Sequence, residues 1–237
     1  MHRIFTPELD ADTRGIVEIT GDEAHHAVRV KRVREGEQVE LLDGAGNVGQ
    51  AVVCRVDRSG RTGAVLTLEI ALVRSVAPVR PRIVVRSPVP KGDAFELMID
   101  MLSQVGAAAW GPLGTEHSER KPRRMDRARR TAIESAKQCG RAHLLELLDP
   151  VDLDDLLTDG NATVIVADAG GTDLLDAETE EAVVLIGPEG GFSPAERDRI
   201  ARSNARVMCF GPHVMRIETA AVVAASGMLR ARTLWKG

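Results

Sequence analysis

The stretch from Ala182 to Glu196 constrains this chain most. Apolar residues 182–186 run directly into Gly187-Pro188-Glu189-Gly190-Gly191-Phe192, and Ser193-Pro194-Ala195-Glu196 follows. A short unbroken apolar run of this kind reads as a strand buried on both faces, as in a parallel sheet. Ser193 can cap a helix, Pro194 suits its first position, and Glu196 completes a capping box. Strand, glycine bend and capped helix form half of a βα unit. The bend falls at the carboxyl end of its strand, where α/β sheets bind ligands because bare backbone can approach them closely. An ordinary strand-to-helix turn has the same spacing, so both readings stand on spacing alone. With neither Gly-Lys-Ser/Thr nor GxGxxG present, the bend is not a Walker loop or a dinucleotide fingerprint.

The same alternation extends over the carboxyl-terminal two thirds of the chain. Strands are predicted at 82–87, 108–113, 163–167, 182–186 and 206–210, with helices at 94–105, 123–139, 194–203 and 218–234. That pattern predicts an α/β domain with a largely parallel sheet. Earlier in the chain, short strands at 17–19, 38–43, 49–56 and 64–72 are separated by turn sequences rich in Gly, Asp, Asn and Ser. They predict a small β-barrel, interrupted by one helix over 23–33 with Asp22 as its cap. The Pro- and Val-containing linker at 75–81 places the boundary between domains 1–75 and 76–237.

Composition narrows the function classes. With 237 residues at 43% hydrophobic, the chain can bury a substantial core. Cys54, Cys139 and Cys209 are odd in number and form no CxxC pair, against a disulfide framework or a cysteine zinc site. His25 and His26 are neighbours whose side chains diverge by about 100° on a helix, and no carboxylate follows at the next turn, so no metal is expected. No run approaches the roughly 18 apolar residues of a membrane span, and residues 1–10 hold no signal-peptide core. A cytoplasmic location without a membrane partner is the expectation.

Aromatics make up 3% of the chain, with no Tyr, which argues against a surface of rings stacked on RNA bases. The 31 basic and 35 acidic residues give a net charge of −4, so no global positive field announces a nucleic acid. Charge is nonetheless unevenly placed: residues 76–150 carry 13 basic and 9 acidic side chains, residues 151–237 carry 8 and 14. Seven of the eleven residues at 120–130 are Lys or Arg. Any RNA contact must therefore be local.

A second loop, Gly211-Pro212-His213-Val214-Met215-Arg216-Ile217-Glu218-Thr219-Ala220, leads into a helix of small and apolar residues. A helix apolar on nearly all sides suits a core position, an interface, or both. Arg216 at its start needs a partner or a ligand. Glu218 is the available partner, and structural pairing and catalysis are both open to the two residues.

Together, residues 185–196 and 210–220 resemble the SPOUT superfamily of trefoil-knotted methyltransferases, and more narrowly the bacterial 16S ribosomal RNA uridine-N3 methyltransferases. Supporting similarities lie at 25–30, Lys91-Gly92, Thr115-Glu116-His117-Ser118 and 137–141, so the resemblance covers essentially the whole chain. It implies an amino-terminal PUA-like barrel that meets RNA and a carboxyl-terminal α/β domain with a deep trefoil knot that binds S-adenosylmethionine. Carried over by position, the cofactor-binding residues are Val166, Ala167 and Asp168 in one loop, and Ile186, Gly187, Glu189, Gly190 and Gly191 in the next. Phe210, Gly211, Val214, Met215 and Arg216 form the third, with Thr219 and Ala220 opening the helix behind it.

This chain departs from the family in two places. A common Lys-Ala-Thr-Glu-Leu-Gly stretch reads Met101-Leu102-Ser103-Gln104-Val105-Gly106, and a Glu-Arg-Ser triplet reads Glu116-His117-Ser118.

The resemblance implies methylation of a uridine in the small subunit's 16S rRNA, by a homodimer. Its RNA-binding candidates are His25, Arg29, Lys31 and Arg32 at the barrel's helix, then Arg120, Lys121, Arg123, Arg124 and Arg141 in the central basic stretch. Arg216 and Glu218 are the catalytic candidates. Two other readings are a knotted 2′-O-ribose methyltransferase and a non-catalytic ribosome-assembly factor.

Overall fold

The computed structural model describes residues 1–60, 63–118, 125–158, 162–172 and 179–234. The chain groups into two compact units, Met1–Pro78 with Ile133–Leu144, and Val79–Ala132 with Leu145–Gly237.

In the first unit, β1 (His2–Phe5), β2 (Gly15–Ile19), β3 (Gln38–Leu42), β4 (Asn47–Gly60) and β5 (Gly63–Ser75) form one sheet in the order β1-β3-β4-β5-β2. Alternation decides which face is inside: Ala64, Leu66, Leu68 and Ile70 of β5 all point to the core. The β4–β5 pairing shifts register after Gln50 and after Val53, and such bulges bend long strands into a curl. β1, too short to stand out as a pattern, pairs in parallel with β3.

The expected helix over 23–33 differs from the one observed. It begins as α1 (Gly21–His25) and continues as a π-helical turn, His26–Val30. Thr20 holds the cap position without a side-chain hydrogen bond, and Asp22 lies inside the first turn, where a negative charge suits the helix dipole. The helix stops before 33 because Arg32 adopts a left-handed φ of 56° and the Val33 N–H closes onto the Ala27 carbonyl at 3.1 Å.

The second unit is built on β6 (Arg82–Ser87), β7 (Ala109–Gly114), β8 (Glu146–Leu147), β9 (Val151–Asp152), β10 (Thr163–Thr172), β11 (Glu181–Ile186) and β12 (Arg206–Met208). The order is β12-β10-β11-β6-β7-β8, with β9 also on β7, and every pairing is parallel. Around the sheet lie α2 (Ala94–Val105), α3 (Met125–Cys139), α4 (Leu153–Thr158), α5 (Pro194–Arg202) and α6 (Ile217–Leu234).

Both faces of this sheet are covered. Ile83, Val85, Ile165, Val184 and Ile186 pack with α2 and α6, while Val84, Val164, Val166, Val183 and Leu185 pack with Leu153 and Ile200. Two-sided burial is why these strands read as unbroken apolar runs. The aromatics serve packing: buried Trp110 lies 5.0 Å from Phe95 between ring centroids and donates its indole N–H to Ser87 Oγ at 2.9 Å.

Residues of α3 from Ile133 onward group with the first unit, although the alternation pattern alone assigns them to the second domain. Lys137 is the physical reason. Its ammonium lies 2.9 Å from Glu23 Oε1 and 2.6 Å from Glu134 Oε1, and its carbonyl accepts from Arg3 at 3.0 Å. A lysine this buried requires such carboxylates.

Candidate functional site

The bulged end of β10 and the loops that follow β11 and β12 lie side by side at the carboxyl edge of the sheet, because those strands are neighbours in a parallel arrangement. Val166, Ala167 and Asp168, expected in a loop, lie within β10, whose pairing with β12 shifts register between Ala167 and Thr172. Val166 and Ile186 are buried in the two cores, so only their backbone is available at that edge. After β11, Gly187 packs under the Phe192 ring, which would stand 3.0 Å from a Cβ at that position. Gly191 has a left-handed φ of 72°, and a Cβ on Gly190 would meet open space. Glu189 and Gly190 are exposed. On the β10 side, the Asp168 carboxylate accepts the Gly170 N–H at 2.9 Å, and Gly171 lies flat on the Met208 backbone.

The capping box expected from the sequence is present. Ser193 Oγ accepts the Glu196 N–H at 3.2 Å, and Glu196 Oε2 accepts the Ser193 N–H at 2.8 Å. This pair fixes where the glycine bend ends. Arg197 adds a bond of 3.1 Å from its Nε to the Phe192 carbonyl.

The loop after β12 is built differently. Phe210, Gly211 and Met215 are half-buried, whereas Val214 is 91% exposed. Cys209 donates its thiol to the Gly211 carbonyl at 3.2 Å. Arg216 is exposed at the entrance to α6, where its carbonyl accepts the Ala220 N–H at 2.8 Å. Among the described residues no ion pair joins Arg216 to Glu218, so the pairing reading gains no support and the guanidinium faces solvent. Thr219 is exposed and Ala220 half-buried on the first turn of α6.

The RNA candidates separate into three groups. His25, Arg29, Lys31 and Arg32 are all exposed around the π-helical turn, together with Val30 at 61% exposure. Arg141 is internal: its guanidinium bonds the His143 carbonyl, and burial pushes its pKa below the ordinary value. Arg120, Lys121, Arg123 and Arg124 lie outside the described residues. Among the described residues no group of His, Cys, Asp and Glu could hold a metal, and no helix is long and apolar enough to cross a membrane.

Two residues beyond the sequence-based candidates belong to this edge. His117 Nδ1 lies 3.5 Å from the Gly191 carbonyl, and the Glu116 N–H donates to Glu196 Oε1 at 2.9 Å. The capping-box signature finds Glu196 but shows nothing of a partner 80 positions away.

Comparison with known proteins accords with this geometry. An RNA methyltransferase domain family matches residues 78–229, and an RNA methyltransferase PUA domain family matches residues 19–59. The ribosomal RNA small subunit methyltransferase E of Mycobacterium bovis is 30% identical, over 97% of this chain and 92% of the relative. A Legionella pneumophila methyltransferase solved with its cofactor SAM superposes with a TM-score of 0.83 at 27% identity, covering 97% of both chains. The ribosomal RNA small subunit methyltransferase E of Neisseria gonorrhoeae shares the fold, with a TM-score of 0.84 at 23% identity over 99% of this chain and 98% of the other. The α/β fold behind a PUA-like domain is the one read from the sequence. The RNA methyltransferase domain match over residues 78–229, with a relative 30% identical over nearly the full length, places this chain in the RNA methyltransferase family of the small-subunit methyltransferase E type.

Proposed function

We propose that this chain transfers a methyl group from S-adenosylmethionine to N3 of a uridine in 16S rRNA of the small ribosomal subunit. The observation that carries the reading is the sheet edge where the bulged end of β10 and the loops after β11 and β12 lie side by side, offering backbone to a ligand, with the exposed Arg216 beside it. The cofactor fits these residues: Gly190 opens onto free space, and the exposed loop positions present amides and carbonyls rather than bulky side chains. Residues 166–168, 186–191 and 210–216, with Thr219 and Ala220, would hold it. The trefoil knot belongs to the same proposal, since it gathers these loops at one edge.

S-adenosylmethionine would supply an electrophilic methyl on its sulfonium, a displacement that needs alignment rather than a metal. The chain's harder task concerns the uridine N3–H, which titrates roughly two units above neutral. Removing that proton at pH 7 costs about 2.7 kcal/mol, at about 1.36 kcal/mol per unit. A cation near the uracil oxygens stabilises the charge that develops. Arg216 is the residue assigned to that role, with Glu218 one turn-start away to orient it when the base is present.

Exposed His25, Arg29, Lys31 and Arg32 would hold RNA phosphates, giving affinity and position rather than sequence choice. The half-buried small residues of α6, together with exposed Val214, fit a homodimer interface, and a ribosomal substrate fits a cytoplasmic location. The test is transfer from labelled cofactor to small subunits lacking the modification, followed by nucleoside mass spectrometry. Label on uridine N3 is expected. Label on a ribose overturns the base assignment in favour of 2′-O methylation, and binding without transfer favours an assembly factor.

A further inference from the structure

We infer that Glu196 is a positioning residue for the methyl-transfer site, locking the loop after β7 onto the glycine loop after β11. The inference rests on the methyl-transfer reading above.

In the sheet, β7 and β11 are not neighbours, because β6 lies between them. Strand pairing therefore relates their loops only indirectly. Just after β7, residues 115–118 form a tight turn in which the Thr115 N–H donates to Ser118 Oγ at 2.9 Å and Ser118 Oγ donates to the Leu113 carbonyl at 3.1 Å. Glu196 reaches across to it.

The Glu196 side chain has two carboxylate oxygens with different partners. Oε2 accepts the Ser193 N–H, the bond that a capping box requires. Oε1 accepts the Glu116 N–H at 2.9 Å, which helix capping does not require. The residue is 1% exposed, and a buried carboxylate is costly unless both oxygens are hydrogen-bonded. Each bond therefore enforces the other. One rigid carboxylate sets the end of the glycine loop and the start of the turn bearing His117.

The consequence is placement of His117. Its Nδ1 stands 3.5 Å from the Gly191 carbonyl, at the same carboxyl edge as Arg216's loop. A side chain held over the glycine loop can orient the target nucleotide against the cofactor. Without the Glu116 bond the turn retains its internal bonds and its longer, exposed contacts to Gly191 and Arg199 but loses its buried tie to the capping box.

The test uses the full chain with three substitutions: Glu196→Ala, Glu196→Gln and Ser193→Ala. Ser193→Ala removes the hydroxyl cap of α5 and leaves the Glu116–Glu196 bond intact. Three quantities are measured: hydrogen exchange of the Glu116 amide, the cofactor's Kd by calorimetry, and kcat and KM on unmodified small subunits. Glu196→Ala should speed Glu116 exchange and lower kcat/KM for RNA by about tenfold or more each, as for a lost buried hydrogen bond to a charged group. Its cofactor Kd should change less than the RNA parameters. Glu196→Gln, which keeps one acceptor oxygen and the side-chain shape, should recover part of both losses, and it serves as the readout if the alanine variant does not fold. Ser193→Ala should leave Glu116 exchange at the parental rate.

Unchanged Glu116 exchange in both Glu196 variants overturns the lock, and equal effects of Ser193→Ala and Glu196→Ala on every readout reduce it to helix capping. A parental chain that transfers no methyl overturns the methyltransferase reading instead. In that case a Glu116 amide still responding to Glu196 shows the tie itself to be real.

Discussion

Two loops at the same sheet edge are built in opposite ways. The loop after β11 is pinned: Phe192 is buried over Gly187, Ser193 and Glu196 cap α5, and Arg197 holds the Phe192 carbonyl. By contrast, the loop after β12 is open, with Val214 91% exposed and Arg216 facing solvent. The contrast divides labour. A preorganised backbone wall costs no reorganisation when a ligand arrives, whereas an exposed cation is free to meet a substrate. Substitutions on the pinned side should lower stability, and those on the open side should lower activity alone.

The largest stability effect should come from Gly171→Ala. Its new Cβ would stand 2.5 Å from the Met208 backbone, which cannot yield without shifting β12. Overpacking of this kind costs about 1–3 kcal/mol, read as a lower midpoint of chemical unfolding with an unchanged slope. A parental midpoint would show that Gly171 does not lie against the Met208 backbone as described.

Gly191→Ala should come next. At a φ of 72° an alanine is strained, its Cβ would stand 3.2 Å from the movable end of Arg197, and the left-handed region costs roughly 1–2 kcal/mol for a residue with a Cβ. Thermal unfolding measures it. Should Gly191→Ala prove neutral, the pinned character of the glycine loop would be lost from the comparison.

Val214→Ser should be smallest. A residue this exposed changes stability by no more than about 0.5 kcal/mol, so unfolding should be parental within error. A marked loss would mean that the open loop is packed in solution, as against a second copy of the chain, and sedimentation of the variant would then show dissociation.

What the sequence made legible follows the same division. The capping box at Ser193 and Glu196 is local chemistry, spaced three residues apart, and residue order alone shows it. The apolar run at 182–186 announces a strand covered on both faces. Less visible were partners distant in the chain: Glu116 with Glu196, Lys137 with Glu23, and the short strands β1, β8 and β9, whose existence depends on a neighbour already in place. The π-helical turn at His26–Val30 was invisible as well, since Ala24, Ala27 and Val28 repeat as they would in an ordinary amphipathic helix. Arg141 shows what charge alone leaves out: its position in a basic stretch points to RNA, while nothing in the sequence shows that its guanidinium bonds the His143 carbonyl.

Arg216→Ala is the most direct test of a pinned wall beside an open cation. Titration with cofactor and single-turnover methyl transfer on small subunits should be measured on the same preparation. The account predicts a cofactor Kd close to the parental value, parental stability, and a transfer rate reduced by about 10²–10³, the usual cost of removing one preorganised charge-stabilising group. Transfer at the parental rate would contradict it.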